Sequence, residues 1–273
     1  MIKFMVGNQK GGVAKTTSAL TLSRCLADRG YKTLLVDSDP QGSVTVSLRL
    51  RPELFLSNFV MEKLRLSDCV TQVAENLDVL CGNRDTVTME ARIFTEYGRE
   101  NVFANAFRPF ESSYDAIIVD VAPSISLLQA CAMVMCRQIL IPVSMDVLSV
   151  SGAGATLTSA KTLSDALHVP IEPLALLPTI VHKRYAMTDT VIQLIHHISK
   201  ENGGIPVLES IRTDQSISKA ARQHQMLVDF DPHSKALEDY EAATSSLLKH
   251  LGLSERNEGR TKTEPNNVEN AAV

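Results

Sequence analysis

Short apolar runs alternate with longer stretches of helical periodicity along most of this 273-residue chain. The runs have the length of strands; they lie around residues 2–6, 33–37, 77–81, 114–120, 138–143, 172–178 and 207–211. The helical stretches cover 18–30, 43–76, 88–110, 149–167, 186–200, 216–225 and 234–251. Strands that alternate with helices at this spacing predict right-handed crossovers and a mostly parallel sheet with helices on both faces. We therefore expect one α/β domain.

The turn between the first strand and the first helix is rich in glycine and carries two lysines. Such a turn leaves backbone N–H groups unpaired and directs them, together with the helix dipole, toward one point that suits a phosphate chain. Lys15 can reach β and γ oxygens there, and Thr16 can ligate Mg²⁺. The predicted nucleotide-binding residues are Lys10, Gly11, Gly12, Val13, Ala14, Lys15, Thr16 and Thr17.

Two residues of this turn depart from the usual P-loop pattern. Ala14 precedes Lys15 where the pattern has glycine, and an additional lysine, Lys10, opens the loop. Both features resemble the deviant Walker A motif of the ParA and MinD ATPases. That resemblance implies that Lys10 reaches the nucleotide bound to a partner subunit, so Lys10 and Lys15 are both candidate catalytic residues.

Aspartates end two further strands. Asp37 follows the run 33–36, and Asp120 follows the run 116–119. Because ligands meet a parallel sheet at its strand ends, Asp37 and Asp39 are expected near the P-loop. Asp120 can hold a Mg²⁺-bound water beside a γ-phosphate. Thr16, Asp37 and Asp120 are therefore the predicted metal residues, the carboxylates acting through water.

The segments after these aspartates extend the resemblance. Residues 37–42 read Asp-Ser-Asp-Pro-Gln-Gly and resemble the Walker A′ and switch I segment of ParA-type ATPases. The resemblance implies that Asp39 orients the attacking water and is catalytic. Residues 121–124 correspond to switch II, but Ala122 stands where the family has its first proline, which leaves the conformation of this segment open.

Composition limits the classes of function that the sequence favours. The net charge of −4 and a pI near 6.0 give no global attraction to nucleic acid, so DNA binding would need a local basic patch. The five scattered cysteines favour buried, reduced thiols over disulfides or a metal site. No apolar run is long enough for a membrane helix, and Gly7 and Asn8 interrupt the first run too early for a signal peptide. A cytoplasmic protein is expected.

Together, the three motifs, Ile-Pro-Val at 141–143 and the segment from 211 through 232 resemble a ParA/Soj-type partition ATPase over about residues 1–250. This implies a P-loop ATPase domain over 1–253, with 254–273 as a polar, disordered tail. It also implies an ATP- and Mg²⁺-dependent homodimer that binds DNA without sequence preference on the nucleoid. A centromere-binding ParB-like partner would stimulate slow hydrolysis. Because the first strand begins at once, no helix-turn-helix extension or operator reading is expected.

Charged residues late in the chain are the candidates for contacts with DNA phosphates. They are Lys183, Arg184, Arg212, Lys219 and Arg222. Lys219 and Arg222 lie one helical turn apart, whereas the family's second DNA-binding arginine aligns with Ser216. Another charged group is expected to form only a solvated face: Glu90, Arg92, Glu96, Arg99 and Glu100.

Three alternative functions share the fold. A MinD-like membrane-cycling ATPase would need a C-terminal amphipathic helix, and residues 254–273 have no apolar stripe. A metabolic or maturation enzyme is the second alternative. An iron–sulfur carrier or a nitrogenase-reductase relative would need cysteines at the positions that ligate a cluster. A dethiobiotin-synthetase relative would not need Lys10. A ParA relative that positions a cargo other than DNA stays open.

Overall fold

The computed structural model describes residues 1–182 and 186–254. Within them, seven strands form one sheet in the order β3-β4-β2-β5-β1-β6-β7, and every neighbouring pair is parallel except β3 with β4. The strands are β1 Ile2–Val6, β2 Thr33–Asp37, β3 Val70–Ala74, β4 Leu77–Leu80, β5 Ala116–Asp120, β6 Gln138–Ser144 and β7 Glu172–Thr179.

Helices cover both faces of the sheet. They are α1 Lys15–Ala27, α2 Ser43–Ser47, α3 Leu56–Glu62, α4 Leu66–Cys69, α5 Asp85–Ile93, α6 Val102–Phe107, α7 Leu127–Cys136, α8 Val147–Leu167, α9 Ala186–Glu201, α10 Gln215–Arg222, α11 Leu227–Phe230 and α12 Lys235–His250. One apolar core lies between one face of the sheet and the helices α3 through α9. The other core lies between the opposite face and the helices α1, α10, α11 and α12. The predicted fold class is confirmed.

Two predicted elements are wrong. Residues 43–76 are not wholly helical, because Val70–Ala74 turns back at Asn76, which has a left-handed φ of 58°, and pairs antiparallel with β4. Residues 207–211 are not a strand: they follow the edge of β7 but form only isolated bridges, at Val207 and Arg212. Pro178 in β7 has no N–H to donate, which interrupts a continuous ladder. Helix α7, in contrast, has no counterpart among the elements that the sequence pattern predicts.

The predicted burial of the cysteines is confirmed, since all five are buried, and each has a free thiol. Burial raises the pKa of the Cys25, Cys131 and Cys136 thiols to about 12. The described residues contain no cluster of three or more histidine, cysteine or carboxylate side chains suited to hold a metal ion. In the same ranges, none of the helices has the length and apolar character needed to cross a membrane.

The carboxyl ends of the three central strands create the functional edge. β1 lies beside β5, which lies beside β2, and the register pairs Val6 with Asp120 and Asp37 with Asp120. The backbone N–H of Ser38 also donates to the Asp120 carbonyl oxygen at 3.0 Å. As a result, the glycine-rich loop after β1 and both strand-end aspartates meet at one place.

Candidate functional site

The glycine-rich loop enters α1 through two residues with left-handed backbone. Gly12 has a φ of 75° and Ala14 a φ of 62°. Glycine adopts this conformation freely, whereas a side chain at this φ costs roughly 1 kcal/mol. The usual preference for glycine before the lysine therefore has a backbone cause, and Ala14 adopts the same conformation despite its Cβ. Helix α1 begins at Lys15, three residues earlier than predicted.

The ammonium group of Lys15 lies inside the loop and among the aspartates. Its Nζ donates to the backbone oxygen of Lys10 at 2.9 Å. Burial lowers the pKa of Lys15, and the nearby charge of Lys10 acts in the same direction, while Asp120 and Asp39 oppose the shift. A phosphate chain bound beside Lys15 would therefore offset the free-energy cost of burying its charge.

Asp120 is a buried carboxylate without a hydrogen-bond partner among the described residues. Its side chain is fully buried, and neither carboxylate oxygen completes a hydrogen bond with any described residue. Burial raises the pKa of Asp120 well above its usual range, and the charge of Asp37 raises it further, whereas the nearby Thr16 and Lys15 lower it. An unpartnered buried carboxylate beside a threonine hydroxyl fits the outer shell of Mg²⁺.

Asp37 and Asp39 shape the loop that leads into α2. Asp37 Oδ1 accepts from the Asp39 N–H at 3.1 Å, and Asp37 Oδ2 accepts from the Val44 N–H at 3.0 Å. Asp39 Oδ1 accepts from the Gln41 N–H at 2.8 Å. Burial raises the pKa of Asp37 to about 7, although the two backbone donors oppose the shift. Asp37 therefore fixes the conformation of this loop through hydrogen bonds to its backbone.

Asn8 and helix α8 support the loop from below, a contact that the sequence did not indicate. The buried Asn8 donates through Nδ2 to the backbone oxygens of Pro142 and Ser149, at 2.8 and 3.2 Å. Its Oδ1 accepts from the Lys10 N–H at 2.9 Å. Gly152 of α8 allows this approach, since a Cβ there would lie 2.4 Å from Asn8 Oδ1. The absence of a side chain at Gly152 thus keeps the P-loop seated.

Glu90 corrects the expected solvated face. Arg92 and Glu96 are exposed, but Glu90 Oε1 accepts from the backbone N–H of Leu127 at 2.7 Å and lies 3.4 Å from that of Leu128. These are the first N–H groups of α7, which otherwise have no partner within a helix. Glu90 therefore anchors the end of the segment that follows Asp120.

Arg99 and Glu100 are not simply solvated either. Their side chains form an ion pair with 3.1 Å between Arg99 Nε and Glu100 Oε1, and the guanidinium stacks over Phe94. Both residues are half-buried. The segment between α5 and α6 is thus ordered by its own charged residues.

The candidate DNA residues fall into three groups. Lys219 and Arg222 are exposed and lie one helical turn apart on α10. Arg212 is held by Asp239, with 2.7 Å between Arg212 Nε and Asp239 Oδ2, so its charge is already balanced. Lys183 and Arg184 lie outside the described residues, as does the predicted tail beyond residue 254.

Helix α10 is fixed firmly to the rest of the molecule at its amino end. Asp214 accepts from the Ser216 N–H at 2.8 Å and from the Ser234 hydroxyl at 2.9 Å, so one carboxylate ties the start of α10 to the start of α12. Helix α12 is in turn joined to α1 by a buried hydrogen bond between Tyr240 and Ser18, 3.0 Å long. The Ser216 hydroxyl donates to Asp231 Oδ2 at 2.6 Å, so Ser216 is a structural residue in this chain.

Comparisons with known proteins match most of the chain to one protein family. A family model described as an AAA domain, AAA_31, matches residues 1–172. The chain is 28% identical over 239 residues to the sporulation initiation inhibitor protein Soj of Bacillus subtilis, covering 86% of this chain and 93% of Soj. It is 26% identical over 250 residues to the chromosome partitioning protein ParA of Myxococcus xanthus, covering 89% and 87%.

Solved structures share the fold over nearly the whole chain. An ATP complex of Cyanothece McdA superposes with a TM-score of 0.82 at 18% identity, covering 94% of this chain and 99% of that one. Cobyrinic acid a,c-diamide synthase from Mycobacterium smegmatis, with an ATP analogue and magnesium bound, gives 0.76 at 24% identity, covering 92% and 96%.

Proposed function

Because the chain belongs to the AAA_31 family and is an ATPase of the ParA/Soj type that uses ATP and Mg²⁺, we propose that it acts in DNA partition as a nucleotide-dependent dimer. The observation that carries the proposal is the pair of lysines on one loop. Lys15 is buried among the aspartates, whereas Lys10 is half-exposed at the mouth of the loop. One lysine serves its own subunit's nucleotide, and the other is available to a second subunit.

In this proposal the chain binds ATP through residues 10–17 and hydrolyses it to ADP and phosphate. Lys15 and the loop N–H groups hold the β- and γ-phosphates, while Thr16 and Asp120 hold Mg²⁺, which neutralises developing charge. Asp37 acts on the metal shell only through water, because its oxygens already accept backbone hydrogen bonds. Asp39, which is buried beside them, orients the attacking water.

The proposed dimer forms across the carboxyl edge of the sheet. Large apolar side chains are exposed on the loops and helix starts that follow β5, β6 and β7: Ile125, Val147, Leu148 and Met187. Exposed apolar groups of this kind favour association with another surface. The charge of two triphosphates would oppose that association, and Lys10 of each subunit would offset it. ATP thus stabilises the dimer.

The proposed dimer binds DNA through phosphate contacts from α10, where Lys219 and Arg222 are exposed. Lys183 and Arg184 stay candidates for the same role. Arg212 is not included, because its guanidinium already forms an ion pair with Asp239. A ParB-like centromere-binding protein is the proposed activator of hydrolysis, and a nucleoid location follows from the DNA contacts.

Binding to a random-sequence DNA duplex tests the proposal. Fluorescence anisotropy is measured without nucleotide, with ADP and with ATP plus Mg²⁺, each at two salt concentrations. Tight, salt-sensitive binding only with ATP is expected. Asp39→Ala should bind DNA at least as well as the wild type, since it retains ATP, but should not hydrolyse it. ATP hydrolysis without DNA binding under any nucleotide would overturn the partition function and favour a metabolic enzyme or the positioning of another cargo.

A further inference from the structure

Helix α2 connects the carboxylates of the nucleotide site with the basic helix α10. Its Val44 N–H is held by Asp37 at 3.0 Å. At the other end of α2, the Val46 carbonyl oxygen accepts a hydrogen bond of 3.2 Å from Nδ1 of His224, a residue that lies just after the end of α10. The two helices also line one cavity of about 200 Å³ next to Thr16 and Thr17, with Ser43 and Ser47 on one side and Ile217, Ala220 and Ala221 on the other.

Two arginines follow α2 directly. Arg49 and Arg51 are both exposed. The Arg49 N–H donates to the Val46 carbonyl oxygen at 3.2 Å, so Arg49 and His224 share one acceptor. Arg49 also has a left-handed φ of 51°. This turn brings the arginine segment against the carboxyl end of α10, where Arg222 lies two residues before His224.

The charges of this junction are not neutralised from within the described chain. Arg24, Arg65 and Arg212 each form an ion pair with an aspartate. None of Arg49, Arg51, Lys219 and Arg222 does so with any residue of 1–182 or 186–254. Arg49 and Arg51 follow Val46 within five residues, and Lys219 and Arg222 precede His224 within five. The contact between Val46 and His224 therefore gathers four exposed cations into a local basic patch, on a chain whose net charge is −4. Such a patch fits a polyphosphate backbone.

We infer that the DNA surface is composite, with Arg49 and Arg51 from the segment after α2 joining Lys219 and Arg222 of α10. The inference rests on the proposed function, and it adds to that function a route from the nucleotide to DNA. Asp37 and Asp39 fix the loop that carries α2, so a change at these carboxylates moves half of the basic patch relative to the other half. DNA affinity then depends on the nucleotide within a single subunit as well as through dimerisation.

The test compares Arg49→Ala/Arg51→Ala with two matched pairs. Lys219→Ala/Arg222→Ala removes the α10 half of the patch. Arg137→Ala/Lys200→Ala is the control, because it removes two exposed charges at the amino end of β6 and the carboxyl end of α9, which is the opposite edge of the sheet. Anisotropy with random-sequence duplex and ATP plus Mg²⁺ is recorded across a salt series, together with ATP hydrolysis without DNA.

Removal of two phosphate contacts should reduce the slope of log affinity against log salt by about 1.8. If affinities converge at 1 M salt, the same slope predicts binding roughly sixtyfold weaker near 0.1 M. We expect this loss from both patch variants and not from the control, whose DNA-free hydrolysis should equal that of the wild type. Arg49→Lys/Arg51→Lys should restore binding, because a phosphate contact accepts either cation.

Two outcomes overturn the inference in distinguishable ways. If the α10 variant loses DNA binding while Arg49→Ala/Arg51→Ala binds like the control, the surface is not composite but the proposed function stands. If the wild type does not bind DNA with ATP at all, the proposed function fails and the inference fails with it.

Discussion

The contact between Gly152 and Asn8 gives a direct test of how α8 supports the P-loop. A Cβ added at Gly152 would lie 2.4 Å from Asn8 Oδ1 and 3.0 Å from the Lys10 nitrogen. Neither neighbour can move freely, because Asn8 is fully buried and makes hydrogen bonds to three backbone groups. Gly152→Ala should therefore shift Asn8 and the start of the nucleotide loop.

Gly154 provides the matched control, since it lies in the same helix and a Cβ there would meet nothing within 4 Å. Both changes gain the helix preference of alanine over glycine, about 1 kcal/mol, and that gain cancels in the comparison. Overpacking costs about 1 to 3 kcal/mol, and loss of one buried hydrogen bond costs about 1 kcal/mol more. Gly152→Ala should thus be roughly 2 to 4 kcal/mol less stable than Gly154→Ala.

Urea unfolding followed by circular dichroism measures this difference for the nucleotide-free proteins. Titration with a fluorescent ATP analogue then reports the loop itself. We expect Gly152→Ala to bind the analogue at least tenfold more weakly, because the Lys10 N–H is displaced, and Gly154→Ala to bind it like the wild type. Equal unfolding midpoints and equal nucleotide affinities for the two variants would refute the support that we assign to Gly152.

Three further predictions concern charge. Lys15→Ala should abolish measurable ATP binding, whereas Lys10→Ala should retain it and lose the ATP-dependent dimer in size-exclusion chromatography; a dimer that persists would contradict the role of Lys10. Glu90→Ala should lower the unfolding temperature, because two N–H groups of α7 lose their acceptor, and Glu90→Gln should recover most of the loss; equal melting curves for all three proteins would exclude the anchor. Burial raises the pKa of Asp37 to about 7 in the folded chain. As pH rises, the unfolded chain therefore loses the Asp37 proton at a lower pH than the folded chain does. Stability without nucleotide should therefore fall as pH rises from about 4 to 7, and Asp37→Asn should flatten that part of the profile in urea titrations at successive pH values; an unchanged slope would show that Asp37 does not titrate there.

The nucleotide edge could be predicted from sequence because each of its residues belongs to a local pattern. Asp37 and Asp120 end apolar runs, and Lys15 follows two glycines, so a few neighbouring letters place each one at a strand end or a helix start. The parallel order of the central strands then brings them together. These are expectations that depend on the fold class and hardly at all on packing details.

The residues that sequence missed depend on approaches between distant segments. Asn8 reaches Pro142 across 134 positions, and Glu90 reaches the start of α7 across 37. Nothing in the local pattern distinguishes Glu90 from the exposed Arg92 two residues later. Strand β3 was missed because its partially exposed residues carry no buried run, and its pairing depends on the turn at Asn76. Such features require the folded chain.

The double attachment of Asp214 has a mechanical consequence. Because this carboxylate joins α10 to α12, and Tyr240 joins α12 to Ser18 of α1, the basic helix and the nucleotide helix belong to one stiff frame. Helix α2 meets that frame at α10 through the hydrogen bond between the Val46 carbonyl oxygen and the exposed His224, and at the core through the buried Val44. A load applied to α10 by a tethered polymer would thus be borne by the frame that α1, α10 and α12 form together.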